Sequence, residues 1–214
     1  FEEVQAFEIA AASDADQAFK KLVDRLLAMP EYGERWGRHW LDVVRYAQTN
    51  GYERDDEKPE SWRYRDYVID SFNADKPYDR FILEQLAGDE LPDGGDVGLI
   101  ATGFYRLGVY DDEPDDQRAA EYDGLDDMLK TTTETFLGLT VGCARCHDHM
   151  FDPVSQRDYY EMLAFFRNIQ PNAKENLRSI EGGKAMCVAE HGREPKETHI
   201  LIRGNAGRPA ERVE

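Results

Sequence analysis

Apolar side chains recur at helical spacing along most of the first 170 residues. Ser13 followed by Asp16 is typical of a helix start, and the apolar pattern after it runs to Pro30. Residues 31–47 carry a second pattern, whose broad apolar face holds Trp36, His39, Trp40, Val43, Val44 and Ala47. The spacing predicts two successive helices and places His39 on the inward side of the second.

Prolines, glycines and helix-capping serines predict where the following elements begin and end. Residues 48–60 are polar and without period, which predicts a loop, and further helices are expected from Ser61, from Pro77, over 97–107, from Leu125 and from Ser155. The last of these has an unusually aromatic surface that suits either ordinary core or the wall of a large flat cofactor, formed by Tyr159, Tyr160, Met162, Leu163, Phe165 and Phe166.

The composition changes after residue 170. Residues 185–189 and 198–202 are short extended candidates, and the second is followed by the turn-forming cluster 203–207. We therefore predict a mainly α protein, an irregular multi-helix bundle with a small C-terminal β-hairpin. Residues 1–170 are expected to form the helical domain, and residues 171–214 a hairpin extension or connector to a following domain.

Charge narrows the range of partners. The 214 residues include 44 acidic and 26 basic side chains, a formal net charge of −18. Such a surface does not neutralise phosphates, which argues against nucleic acid and anionic lipid; a cationic partner is compatible, although solubility alone explains most of the charge. No apolar run approaches the roughly 20 residues that cross a bilayer, so no membrane span is expected. The start at Phe1, without a basic and apolar leader, fits a processed secreted protein or a piece of a longer one.

Nine acidic side chains and one basic side chain, Arg118, lie between residues 111 and 127. This stretch predicts an irregular, solvated surface loop. Calcium binding is the less favoured alternative, because the alternating ligands, central Gly and terminal Glu of an EF-hand loop are missing.

The densest group of chemically versatile side chains is the Cys-x-x-Cys-His run formed by Cys143, Cys146 and His147. Its cysteines are about one helical turn apart, so both sulfurs can reach the two vinyl groups at one edge of a porphyrin. The histidine that follows can then bind the iron as the proximal ligand. The spacing predicts a covalently attached haem c.

Other chemistries fit the same residues less well. Zinc could use both cysteines with His147 or His149, but a zinc ribbon brings a second, distant ligand pair that this chain lacks. A thioredoxin-like redox pair calls for a strand before the motif, where this sequence predicts a helix. Under the haem interpretation, His149 does not bind the iron and instead helps to position the iron ligand His147. The third cysteine, Cys187, stands apart, and three cysteines are too few for a disulfide scaffold.

A second axial ligand has to come from elsewhere in the chain. His39 is the preferred candidate, because an imidazole on a buried face among tryptophans needs a partner. A core histidine hydrogen-bonded to Asp42 would give the same pattern, so that alternative stays open. Water or a small molecule in the sixth position is a further alternative, and the remaining candidate side chains are Met128, Met150, Met162, Met186, His191 and His199.

A series of short blocks resembles the planctomycete cytochrome-like family, a domain of unknown function. The blocks occur in order between about Leu22 and Asn168, at residues 32–36, 39–42, 45–47, 62–69, 85–89, 101–104, 137–140, 143–149 and 151–153. The resemblance implies a large secreted protein in which this domain follows a cytochrome-type module and precedes another domain. It also implies an extracytoplasmic location, periplasmic or secreted, and residues 198–214 resemble the connector to the following domain.

These observations predict a c-type haem electron-transfer module of a larger extracytoplasmic protein, of the oxidoreductase class if it serves an enzyme. Its partners would be a redox protein or adjacent domains of the same polypeptide. The alternative is a non-haem structural or binding module with zinc or a disulfide at the cysteines, recognising protein or carbohydrate through Trp62 and nearby tyrosines.

Overall fold

The computed structural model describes residues 1–170, 177–192, 194 and 196–213, and eight α-helices make up nearly half of these residues. Their bounds are α1 Glu2–Ser13, α2 Ala15–Leu27, α3 Pro30–Val43, α4 Ser61–Asn73, α5 Tyr78–Ala87, α6 Gly95–Ala101, α7 Gln117–Leu137 and α8 Gln156–Ala164. Short 3-10 helices follow α6 at Thr102–Arg106 and α7 at Val141–Arg145. The prediction of a mainly α protein is confirmed.

Two antiparallel strand pairs complete the fold. Strands β1 (Leu177–Ile180) and β2 (Gly183–Met186) form one pair, and β3 (Thr198–Leu201) and β4 (Pro209–Val213) form the other. The predicted C-terminal hairpin is confirmed, and the two extended candidates each pair with a neighbour in sequence instead of with each other.

Local capping explains where several helices begin. The Asp14 carboxylate accepts the Gln17 N–H at 3.0 Å, so α2 starts just after Ser13, which ends an unpredicted helix, α1. Ser155 and Asp158 form the reciprocal capping box expected at the start of α8. Asp116 caps α7, whose first turns lie inside the acidic run. The predicted loop 111–127 is therefore wrong from Gln117 onward, because the acidic side chains there alternate with a buried apolar stripe that includes Tyr122 and Leu125.

The core lies between α3, α4, α5, α7 and α8 and is rich in tyrosine. Tyr64 and Gln85 are fully buried, and the Tyr64 hydroxyl donates to the Gln85 carbonyl oxygen at 2.5 Å. The Trp40 indole N–H lies 3.2 Å from both oxygens. Tyr159, Tyr160 and Leu163 fill the region beneath α8, so most of its aromatic surface is ordinary core, while Phe165 faces outward. Among the described helices, none is long and apolar enough to cross a membrane.

Candidate haem-attachment site

The Cys-x-x-Cys-His motif lies on the surface, held by two buried anchors. Val141 and Ala144, in the 3-10 helix that follows α7, are buried, whereas Cys143, Cys146 and His147 are exposed. The Cys146 N–H donates to the Cys143 carbonyl oxygen at 3.4 Å, so the backbone between the cysteines makes a tight turn. Side chains three residues apart nearly eclipse one another in such a turn, which points both thiols to the same side.

Arg145, between the two cysteines, fixes this turn to the helices beneath it. Its carbonyl oxygen accepts from the Tyr160 hydroxyl at 2.9 Å and from the Gln156 side-chain amide at 3.0 Å. Its guanidinium pairs with Asp123 at 2.7 Å and with Asp126 at 3.4 Å, both on α7. Burial lowers the pKa of Arg145, but the two carboxylates outweigh it and hold that pKa above its usual value. The turn that presents the thiols is therefore braced from α7 and α8 together.

His147 has the hydrogen bond that prepares an imidazole for metal binding. Its Nδ1 lies 2.8 Å from the carbonyl oxygen of Asp148. Because a carbonyl oxygen only accepts, Nδ1 carries the proton, and the lone pair of the neutral ring is on Nε2. An Nδ1–H held by a backbone carbonyl is a common second partner of histidines that bind metal through Nε2.

His149 has the opposite arrangement. Its Nδ1 accepts the backbone N–H of Asp152 at 2.9 Å and that of Phe151 at 3.3 Å, and its side chain is only 7% exposed. Backbone N–H groups only donate, so the proton of this neutral ring is on Nε2. His149 stabilises the turn before α8, a role that its spacing from the cysteines did not reveal.

The loop between β3 and β4 closes against the motif. A Cβ atom built on Gly204 would lie 2.7 Å from the Cys146 sulfur, and Gly204 has a φ of +68°. Both the close approach and the left-handed backbone favour glycine at this position. Sequence reasoning assigned residues 203–207 to a turn but missed this contact, since nothing in the pattern linked that turn to the cysteines.

Comparison with known proteins identifies the family. Residues 1–171 match the model of the family PSCyt2, described as a protein of unknown function (DUF1549), and the match covers well over half of the 214 residues. The chain belongs to the PSCyt2 family. No curated protein and no solved structure matches it.

His39 of this PSCyt2 domain does not face the core, so the prediction of an inward imidazole is wrong. Its side chain is exposed, next to Trp36, in a small apolar cavity of about 380 Å³ to which none of the motif residues contributes. The helix instead turns its glycines inward, because a Cβ on Gly33 would lie 2.4 Å from the Ile69 carbonyl oxygen of α4. Of the predicted apolar face, Trp40 packs against the core and Val44 is fully buried, whereas Trp36 and Val43 are exposed like His39. As a distal ligand, His39 stays a prediction without a contact that supports it.

Cys143, Cys146 and His147 supply the two thiols and the imidazole that a covalently bound haem would use. These three residues are all exposed. Exposed apolar side chains flank them in sequence at Leu139, Met150 and Phe151. In the described residues, no group of three or more His, Cys, Asp or Glu side chains is placed to hold a metal ion. Trp62, proposed for carbohydrate, has the guanidinium of Arg63 over its ring at 4.4 Å, which covers one stacking face.

Proposed function

We propose that this chain is a c-type haem electron-transfer module of a larger extracytoplasmic protein. Cys143 and Cys146 would hold the haem covalently, and His147 would be the proximal iron ligand. The observation that carries the proposal is the 2.8 Å contact from His147 Nδ1 to the Asp148 carbonyl oxygen, which leaves the Nε2 lone pair of an exposed imidazole unused, in the residue that directly follows two exposed cysteines in sequence. When bound, haem supplies an iron that accepts and returns a single electron.

The attachment chemistry needs only the two thiols. Each thiol would add across one vinyl group, so that a carbon–sulfur bond forms, the thiol hydrogen goes to the other vinyl carbon and no atom is lost. The brace through Arg145 keeps the sulfurs facing the same way, which limits the conformational entropy lost on attachment. The acidic surface favours a redox partner protein, or an adjacent domain, that has a cationic patch.

The decisive test is maturation in a bacterium that exports the chain and assembles c-type cytochromes in its periplasm. The expected product carries one haem, detected as a mass increase over the bare polypeptide that survives denaturation, and shows a Soret band. Replacing both cysteines, Cys143→Ser with Cys146→Ser, is expected to abolish the mass increase. His147→Ala is expected to keep the covalent mass but change the iron spectrum.

A matched histidine variant separates the ligand from its neighbour. His149→Ala removes an imidazole two residues away and is expected to leave the iron spectrum of attached haem as in the wild type, because His149 binds backbone N–H groups. A bare polypeptide mass without a Soret band would overturn the haem proposal, and zinc in the purified protein would then favour the metal-binding alternative.

A further inference from the structure

A large cavity lies beside α7, and none of the cysteines or histidines of the Cys-x-x-Cys-His motif lines it. It has a volume of about 1140 Å³ and opens between the segment after the first 3-10 helix, the first half of α7 and residues near β3. Its wall is mixed, with tyrosines, amides and charged groups of both signs. Small-molecule sites usually have volumes of roughly 300–1,000 Å³, so this cavity is large enough for a small ligand, and its wall is more polar than most.

One charged side chain in this wall lacks a counter-ion. Arg106 is only 2% exposed, and its Nη1 donates to the Gln170 carbonyl oxygen at 3.1 Å, while Nε and Nη2 have no hydrogen-bond partner. Within the described part of the chain, no carboxylate forms an ion pair with it. By contrast, Arg167, in the same wall, pairs with Glu121 at 3.1 Å.

Arg106 nevertheless keeps its charge. Burial lowers its pKa to about 10, which still leaves the guanidinium protonated near neutral pH. A buried charge without a partner is costly, and proteins normally compensate it with an anion. The Nε and Nη2 edge of a guanidinium matches the two oxygens of a carboxylate.

A second side chain in this wall has an unpaired hydrogen-bond acceptor, whereas the unpaired atoms of Arg106 are donors. The side-chain oxygen of Asn50, a residue only 3% exposed, accepts no hydrogen bond. An amide oxygen needs a donor such as a hydroxyl, whereas Arg106 needs an acceptor. One cavity thus combines a requirement for a carboxylate with a requirement for a hydroxyl group.

We propose that this cavity binds a small hydroxy acid of the sugar-acid type, with its carboxylate at Arg106 and a hydroxyl group donating to Asn50. The unpaired atoms of both residues are covered by the cavity wall, so the proposal includes a local shift of that wall when the ligand enters. Tyr52 in the wall is 62% exposed, and its ring offers an apolar face to the carbon skeleton of such a ligand.

Thermal unfolding of the whole chain with three probes tests the proposal. Glucuronate is expected to raise the Tm progressively with the logarithm of its concentration above its Kd, by several degrees once it is well above that value, whereas glucose at the same concentration gives no shift. Equal shifts with glucuronate and glucose, or no shift with either, would overturn the proposal. Inorganic phosphate tests the oxyanion alone, and if it matched glucuronate, the assignment of a hydroxy acid would be wrong.

Variants then locate the site. Arg106→Met is expected to weaken glucuronate binding at least tenfold, while Arg38→Met, which removes an exposed charge outside the cavity, leaves it unchanged. Because the Arg106 charge is uncompensated, Arg106→Met is also expected not to lower the Tm without ligand, which a merely structural arginine would do. Wild-type affinity in Arg106→Met would refute the assigned site. If that variant does not fold, Asn50→Leu, measured in the same way, is expected to show the loss of affinity.

Discussion

At the scale of single residues, His147 and His149 show how two identical side chains, two positions apart, acquire different roles. The ring of His147 donates through Nδ1 to a carbonyl group, while the ring of His149 accepts through Nδ1 from two backbone N–H groups. The first arrangement leaves Nε2 able to bind a metal, and the second uses the imidazole as part of the backbone turn. Replacing His147 and replacing His149 should therefore have different effects on the stability of the fold, just as they should have different effects on haem binding.

We expect His149→Ala to lower the free energy of unfolding of the haem-free chain by about 1–2 kcal/mol, because two backbone N–H groups lose their acceptor. His147→Ala should change it by less than about 0.5 kcal/mol, since that side chain is exposed. Urea unfolding followed by circular dichroism measures both values. A larger loss for His147→Ala than for His149→Ala would contradict the assigned roles.

Sequence reasoning reached the motif but not the hydrogen bonds that distinguish its histidines. Spacing alone predicts Cys143, Cys146 and His147 as candidate haem ligands, because attachment along one turn would depend on local distances. The partner of each ring nitrogen depends instead on the path of residues 148–154, which no periodicity predicts. His39 was misplaced for a related reason, since an apolar stripe does not reveal that α3 packs through Gly33.

At the scale of elements, the start of α8 matters because this helix carries Tyr160 and Gln156, which hold the motif. The Ser155 hydroxyl oxygen accepts the Asp158 N–H at 3.1 Å, and the Asp158 carboxylate accepts the Ser155 N–H and hydroxyl, each at 2.7 Å. The hydrogen bond from the Ser155 hydroxyl, and to a smaller extent that from the Ser155 backbone N–H, lowers the pKa of Asp158 below its usual 3.8. The capping box is therefore stronger when this carboxylate is ionised.

Ser155→Ala should destabilise the protein by about 1 kcal/mol at pH 7, the typical loss for a helix cap. A carboxylate with a lowered folded-state pKa stabilises the fold above its usual pKa, and that contribution disappears as the pH falls through the lower value. The difference between the wild type and the variant should therefore narrow below about pH 4. Chemical denaturation at pH 7 and at pH 3 measures it, and a difference that grew in acid would argue against the assigned bonds.

Glu84 joins α4 and α5 through a buried ionic cluster. Its carboxylate, 6% exposed, contacts Lys76 at 2.5 Å, Arg80 at 2.8 Å and the Tyr67 hydroxyl at 3.0 Å. Burial raises the pKa of Glu84, but the hydrogen bonds from these three groups outweigh it and leave that pKa below its usual value.

We expect Glu84→Gln to cost about 2–3 kcal/mol of unfolding free energy at pH 7, because two cations lose a largely buried counter-charge. The lowered pKa means that this difference shrinks as the pH falls below about 4.5 and the wild-type carboxylate becomes protonated. Glu90→Gln, at an exposed position nearby, is the matched control and should change stability little. Equal effects of the two variants would refute the role of the cluster.

Helices with a one-sided apolar pattern were predictable, and those without one were not. Residues 15–27 have a clear apolar stripe that predicts a helix, whereas α1 has acidic and apolar side chains distributed around the helix and shows no period. The first turns of α7 were missed because Asp116 looks like any other member of an acidic run until its carboxylate is seen to accept the N–H groups of Arg118 and Ala119. Caps and packing partners, rather than propensity, set these boundaries.

At the scale of the whole molecule, α7 connects the two sites and the His39 cavity. Residues in its first half, among them Glu121 and Asp123, border the large cavity, and Asp123 also pairs with Arg145 of the Cys-x-x-Cys-His motif. Lys130, further along, packs its side chain against Gly142. Asp126 pairs with Arg145, and Thr135, near the end of α7, borders the cavity that contains His39. At 1.5 Å per residue, these two α7 residues are about 13 Å apart along the helix axis, so His39 lies far from Arg145.

The hairpin of α1 and α2 contrasts with this tightly connected body. Ala18 is its one buried residue, and the apolar side chains of α2, such as Phe19, Val23 and Leu26, remain largely exposed. The hairpin therefore contributes little buried surface to the core, and its stability should be low and local.

Deleting residues 1–28, so that the chain starts at Met29, should shift the Tm of the remaining body by less than about 4 °C, equivalent to roughly 1 kcal/mol or less. Amide hydrogen exchange of the intact chain should be fastest in α1 and α2, because these helices can open without disturbing the core. Deleting residues 1–44 is the control and should unfold the protein, since it removes Gly33, Gly37 and Val44 from the contact with α4 and the core. If the shorter deletion unfolded the body as well, the hairpin would have to be an integral part of the fold, and its exposed apolar face could not be explained as a local feature.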